Sequence, residues 1–170
     1  LPDSLFKNNK ELRILSITDN ALVKLPSSLS SASNLENLGL GNNRLTNLPD
    51  YVGEFASLKQ LDLKFNNISK ISEDTWKNLA KRDGLKIDLI HNNLTSLPSL
   101  EDVKFASLDV AANMLPAEIP DSYKALKIGE KNQGGYYAQR SPVDYNITAK
   151  NGKVEFSNKK DMNILDLLNW

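Results

Sequence analysis

Residues 35–49 read L-E-N-L-G-L-G-N-N-R-L-T-N-L-P: Leu35, Leu38, Leu40, Leu45 and Leu48 are apolar, Asn43 stands among them, and Pro49 closes the run. Upstream the same spacing gives Leu12, Leu15, Ile17, Asn20, Leu22, Leu25 and Pro26. Downstream it gives Leu58, Leu61, Leu63, Asn66, Ile68 and Ile71. It returns as Ile87, Leu89, Asn92, Leu94, Leu97 and Pro98, with Gly84 at the first position. The last copy is Phe105, Leu108, Val110, Asn113, Leu115 and Pro116. The offsets inside the ladder are read as constant. Only the stretch between ladders varies, giving repeats of about 23, 23, 26 and 21 residues, a period that marks a stacked array.

Leu38 and Leu40 alternate with Asn37, Gly39 and Gly41, so each ladder opens with a short strand that has one apolar face. One such strand cannot bury that face alone, but five in parallel bury a continuous column of Leu and Ile. The column Asn20, Asn43, Asn66, Asn92 and Asn113 falls where the chain leaves each strand. An amide there both donates and accepts, so it satisfies backbone groups of neighbouring turns.

These residues resemble the leucine-rich repeat, L-x-x-L-x-L-x-x-N-x-L-x-x-L-P, over about residues 1–120. The resemblance implies an α/β solenoid, curved, with its parallel strands on the concave side. The expected division is a solenoid over 1–120, an exit loop and cap over 121–140, and a β-rich segment over 141–170.

Charges balance, 21 acidic against 21 basic, so no global field favours nucleic acid or an anionic membrane surface. No apolar run approaches the length of a membrane span. With no cysteine, disulfide caps, zinc clusters and thiol chemistry are excluded. Leu1-Pro2 matches Leu25-Pro26, so the chain opens in mid-repeat, without a leader or a polar cap. This predicts a piece trimmed from a longer protein.

Each Leu-Pro leads into an outer segment. Val52 and Phe55 can reach the core from Asp50–Ser57. Ser72–Arg82 reads as one to two helical turns, with Ser72 as N-cap, Trp76 and Leu79 on one face and a break at Gly84. Beyond Pro116 the ladder fails, and an exit loop with a short helix near Asp121–Leu126 is expected to cover the last repeat. Strict alternation then follows: Val143, Tyr145, Ile147 and Ala149, then Val154 and Phe156, around Asn151-Gly152. That is a hairpin signal, pairing Ala149 with Val154 and Ile147 with Phe156. With the apolar tail Ile164–Trp170 it predicts a small hairpin or sandwich-type β segment. The order of parts resembles the immunoglobulin-like segments that follow the repeats of internalin-type proteins.

Chemistry is sparse. His91 is the single histidine and lacks a nucleophile and an orienting acid in the pattern; Gly39-Leu40-Gly41 belongs to the ladder and is not a phosphate loop. No catalytic residue, metal site or cofactor is expected. Asn67-Ile68-Ser69, Asn93-Leu94-Thr95 and Asn146-Ile147-Thr148 match the glycosylation acceptor, the first two as by-products of the ladder. Asp62, Asp88 and Asp109 share one ladder position and should stack, which reads as a cation site, as an acceptor strip for a basic partner, or, with Lys64 and Lys86 close enough to neutralise it, as a structural row of the ladder. Phe65, Ile90 and His91 are large groups at solvated positions, where an aromatic beside charge suits a protein contact.

The expected function is therefore non-enzymatic recognition by the concave face through Asn37, Gln60, Asp62, Lys64, Phe65, Lys86, Asp88, Ile90, His91 and Asp109. The partner is a protein, with a glycan left open, and not nucleic acid; no membrane insertion is expected, and the chain is a monomer. The context that fits is a bacterial cell-surface adhesion or recognition protein. A cytosolic scaffold, or the substrate-recognition part of a larger enzyme, are the alternatives.

Overall fold

A computed structural model describes residues 1–116, 121–126, 146–150 and 153–157. The chain divides into two compact units, Leu1–Gln139 and Arg140–Trp170. The first holds a five-stranded parallel sheet in sequence order. Its strands are β1 (Ile14–Ser16), β2 (Asn37–Gly39), β3 (Gln60–Asp62), β4 (Lys86–Asp88) and β5 (Ser107–Asp109). Leu15, Leu38, Leu61, Ile87 and Leu108 lie in one register row. From Leu38 onward this row is buried, as are Leu40, Leu63, Leu89 and Val110 two residues later.

Only three residues per strand pair on the flat, because the chain then steps out of the sheet plane. Asp19, Asn42, Phe65, His91 and Ala112 all take positive φ, between 52° and 58°. Main-chain bonding nevertheless continues through the step: the Asn42 N–H donates to Lys64 O (2.8 Å), and the Phe65 N–H to Ile90 O (2.8 Å).

The asparagines that follow staple the repeats. Asn66 Oδ1 accepts from the Leu45 N–H (2.9 Å), while its Nδ2 donates to Leu40 O (3.0 Å), Leu63 O (3.0 Å) and Lys64 O (3.3 Å). Asn43, Asn92 and Asn113 repeat the pattern, and all four are buried. Asn20 is exposed and donates within its own repeat, to Thr18 O (2.8 Å) and Ile17 O (3.5 Å).

Linker length sets the outer face. The two 23-residue repeats carry short 3-10 turns, Ser27–Ser31 and Asp50–Glu54. The 26-residue repeat makes room for α1 (Glu73–Ala80), capped by the Ser72 side chain accepting the Thr75 N–H. Trp76 and Leu79 on its inner face are 1% exposed, so Trp76 packs the core, as do Val52 and Phe55.

One ladder position departs from the sequence reading. Gly84 was placed first in the fourth ladder, but it is exposed, with φ +76°. That left-handed step turns the chain by one residue, and Leu85 fills the core instead, at 0% exposure. The expected helix near 121–126 is a 3-10 turn, Asp121–Leu126. Its Tyr123 is buried, and Ser122 Oγ accepts the Leu100 N–H (3.3 Å). The rest of the expected exit loop lies outside the described residues.

In the second unit, β6 (Asn146–Lys150) runs antiparallel to β7 (Lys153–Ser157), with Ala149 opposite Val154 and Ile147 opposite Phe156. The Asn151-Gly152 turn and the Ile164–Trp170 tail lie outside the described residues.

Candidate interaction surface on the sheet

The register sorts the ten candidate residues into rows. Asn37, Gln60 and Lys86 are aligned, and so are Asp62, Asp88 and Asp109. Lys64 and Ile90 stand two residues beyond the acids, with Phe65 and His91 next. None of the ten is buried: Gln60, Phe65 and Lys86 are exposed, and the other seven are half-buried. Gln60, Asp62, Lys86, Asp88, Ser107 and Asp109 line one open hollow of about 340 Å³. Asn37 lies in a second hollow at the strand entries, beside Glu36, Lys59 and Gly84. There Arg13 and Lys59 bracket Glu36 (3.3 and 2.7 Å); the Lys59 hydrogen bond and charge hold the Glu36 carboxyl below its ordinary value.

The acidic row has a structural task. Asp62 Oδ1 accepts the Lys64 N–H (3.1 Å), Asp88 Oδ1 the Ile90 N–H (3.0 Å) and Asp109 Oδ1 the Ala111 N–H (3.1 Å). Each carboxylate thus satisfies a donor where the chain leaves its strand. Gly41 makes room for the first of them: a Cβ there would lie 3.0 Å from Asp62 Oδ1.

Neutralisation is less complete than the sequence suggests. Lys64 Nζ pairs with Asp62 (3.4 Å). Among the described residues Lys86 forms no ion pair, and neither Asp88 nor Asp109 has a Lys or Arg within 4 Å. Among the described residues no group of His, Cys, Asp or Glu is placed to hold a metal ion.

Burial, and then the neighbouring Asp62 and Asp109 charges, push the Asp88 carboxyl above its ordinary value of 3.8, against the Ile90 hydrogen bond and Lys64. The folded chain therefore holds this proton more tightly than the unfolded chain. The contribution favours folding below pH 3.8 and is lost as pH rises through the raised value. Asp88→Asn keeps the acceptor for Ile90 and removes the repulsion. It is expected to stabilise the fold at pH 7 by roughly 0.2–1 kcal/mol, a gain that shrinks towards pH 3. Urea unfolding at the two pH values checks this, and a loss of stability at pH 7 would contradict it.

The step column Asp19, Asn42, Phe65, His91 and Ala112 is legible from the ladder spacing, but its left-handed backbone is not. Asp19, Asn42 and His91 are residue types that enter the left-handed region more readily, whereas Phe65 and Ala112 do so at a cost of about 1–2 kcal/mol each. Asp19, Asn42 and His91 together could have signalled the conformation. The Asp19 and Asn42 side chains bond to each other (2.6 Å). The next two stack instead: the Phe65 and His91 rings lie 4.6 Å apart, 17° from parallel. Phe65 is still 48% exposed. Ile90, expected as an apolar surface group, is half-buried.

Among the described residues nothing indicates catalysis, and no helix is long and apolar enough to cross a membrane. No curated protein matches the chain. Residues 33–83, which span β2, β3 and α1, match the family model described as Leucine rich repeat, and with the five-stranded ladder that match supports reading the chain as a leucine-rich-repeat protein.

Proposed function

We propose that this chain is a non-enzymatic recognition module that binds a protein through the solvent face of β1–β5. Repeat domains of this kind serve as protein-interaction modules. The observation that carries the choice of face is Phe65. It is a half-exposed aromatic stacked on His91, three residues beyond Asp62 of the open hollow, at a position where the core gains little from it. Aromatic groups flanked by charge are what protein interfaces bury at their centres. The sheet is five strands wide, about 20 Å at 4.8 Å per strand. With its loops it offers the roughly 800 Å² per partner of a standard interface.

The context proposed is a bacterial cell-surface recognition protein of the internalin type, acting as a monomer, with 141–170 as a small β module beyond the repeats. The lack of cysteine and the order of parts support it. Antibody access to the chain on intact cells tests the location.

The face is tested with a photo-crosslinking residue placed at Gln60 on the sheet or at Lys77 on α1, in the source cells. Discrete adducts are expected from position 60. Adducts from position 77 alone, or from neither, overturn the reading.

A further inference from the structure

We propose that the segment recognised is basic: a stretch of a protein partner that lays an arginine or lysine against Asp88 and Asp109 and covers the Phe65–His91 stack with its adjoining side chains. This rests on the reading of the sheet face as a protein-binding surface and adds the chemistry of the partner.

The aromatic pair comes first. In the step column the fold is served by residues such as Asn42, which takes the same φ and bonds sideways to Asp19. Phe65 occupies the same step, is strained there, and leaves half its surface in water. Its ring contact is with His91, the equivalent residue of the next repeat. Half of Phe65 stays open to a partner's side chain while the ring rests on His91.

Charge complementarity then selects the occupant. Lys64 is engaged with Asp62, while Asp88 and Asp109 sit side by side in register with no Lys or Arg within 4 Å among the described residues. Each spends one oxygen on a backbone N–H and keeps the other for a ligand. A cation between them relieves their mutual repulsion; an acidic or phosphate-bearing partner would add to it. The hollow they line, about 340 Å³, is of a size that takes a side chain. Asp88 and His91 are three residues apart, roughly 10 Å of chain, so one short extended segment can reach both.

The test uses the full chain and a displayed library of random twelve-residue peptides as the probe. Selection is expected to enrich arginine and lysine over aspartate and glutamate. The selected peptides should lose about tenfold in affinity on Phe65→Asn and on Asp88→Asn. The melting temperature of Phe65→Asn should stay level or rise, because asparagine relieves the step. A purely structural Phe65 would instead lower it. An acidic or unbiased pool whose binding falls with sheet-face variants, Lys86→Glu included, overturns the charge inference and leaves the sheet-face reading standing. A pool indifferent to every sheet-face variant, or no enrichment at all, overturns both. A lowered melting temperature for Phe65→Asn overturns the role given to the ring.

Discussion

Asn66→Asp is expected to destabilise the chain by about 3–5 kcal/mol, although it alters little but one amide nitrogen. Asn66 is 6% exposed, and its Nδ2 faces the carbonyl oxygens of Leu40, Leu63 and Lys64. A carboxylate has no proton to give them, so negative oxygen would face negative oxygen in a site with little water. Protonation restores one donor and leaves the other acceptors short. Each buried group left unmatched costs roughly 1–3 kcal/mol, and a typical domain has only 5–15 kcal/mol in total. Asn66→Ala also orphans the Leu45 N–H, which the aspartate still accepts, but it adds no charge against the three carbonyls and should cost less than the aspartate. Denaturant unfolding of the two variants gives the order. If the aspartate proves the milder change, the donor role assigned to Nδ2 is wrong.

Trp76→Ala should cost about 3–5 kcal/mol through the cavity it opens. The indole is 1% exposed and packs near Phe105, with ring centroids 6.0 Å apart. It reaches inward from α1, the one outer segment long enough to form an α-helix among the described residues. Removing it takes the largest contact from α1, so the loss should show both in the unfolding midpoint and in faster amide exchange over Glu73–Ala80. A change below about 1 kcal/mol would show that the repeat collapses around the gap.

The framework was legible because it rests on repetition. Leu38, Leu61 and Leu108 recur at one offset, and so do the asparagines; a period of two, broken by a polar amide, has few other solutions. Ser72, Trp76 and Leu79 announced α1 by capping and by helical spacing. The departures share one cause: backbone steps that side-chain patterns do not display. Gly84 shifted the inward position to Leu85 because a positive φ rotates the chain without changing the count of residues. The step at Phe65 and His91 was hidden for the same reason, and with it the stack. The sequence aligned Asp62, Asp88 and Asp109 correctly, but not what their oxygens do, since a bond to the N–H two residues on depends on the exit geometry. It set Lys86 beside the acidic row by proximity in number, but among the described residues only Lys64 makes an ion pair there.

The asparagine staples also bear on how the chain behaves under load. Asn66, Asn92 and Asn113 each reach back to the preceding repeat, at Leu40, Leu63 and Leu89. Asn20 holds only its own strand exit. Tension applied across the ladder therefore meets a chain of separate fasteners, each closing one boundary, with no bond of this kind spanning two. Extension should proceed as a series of small yielding steps, each of about one repeat, so that the stack works as a shock absorber and not as a single brittle joint.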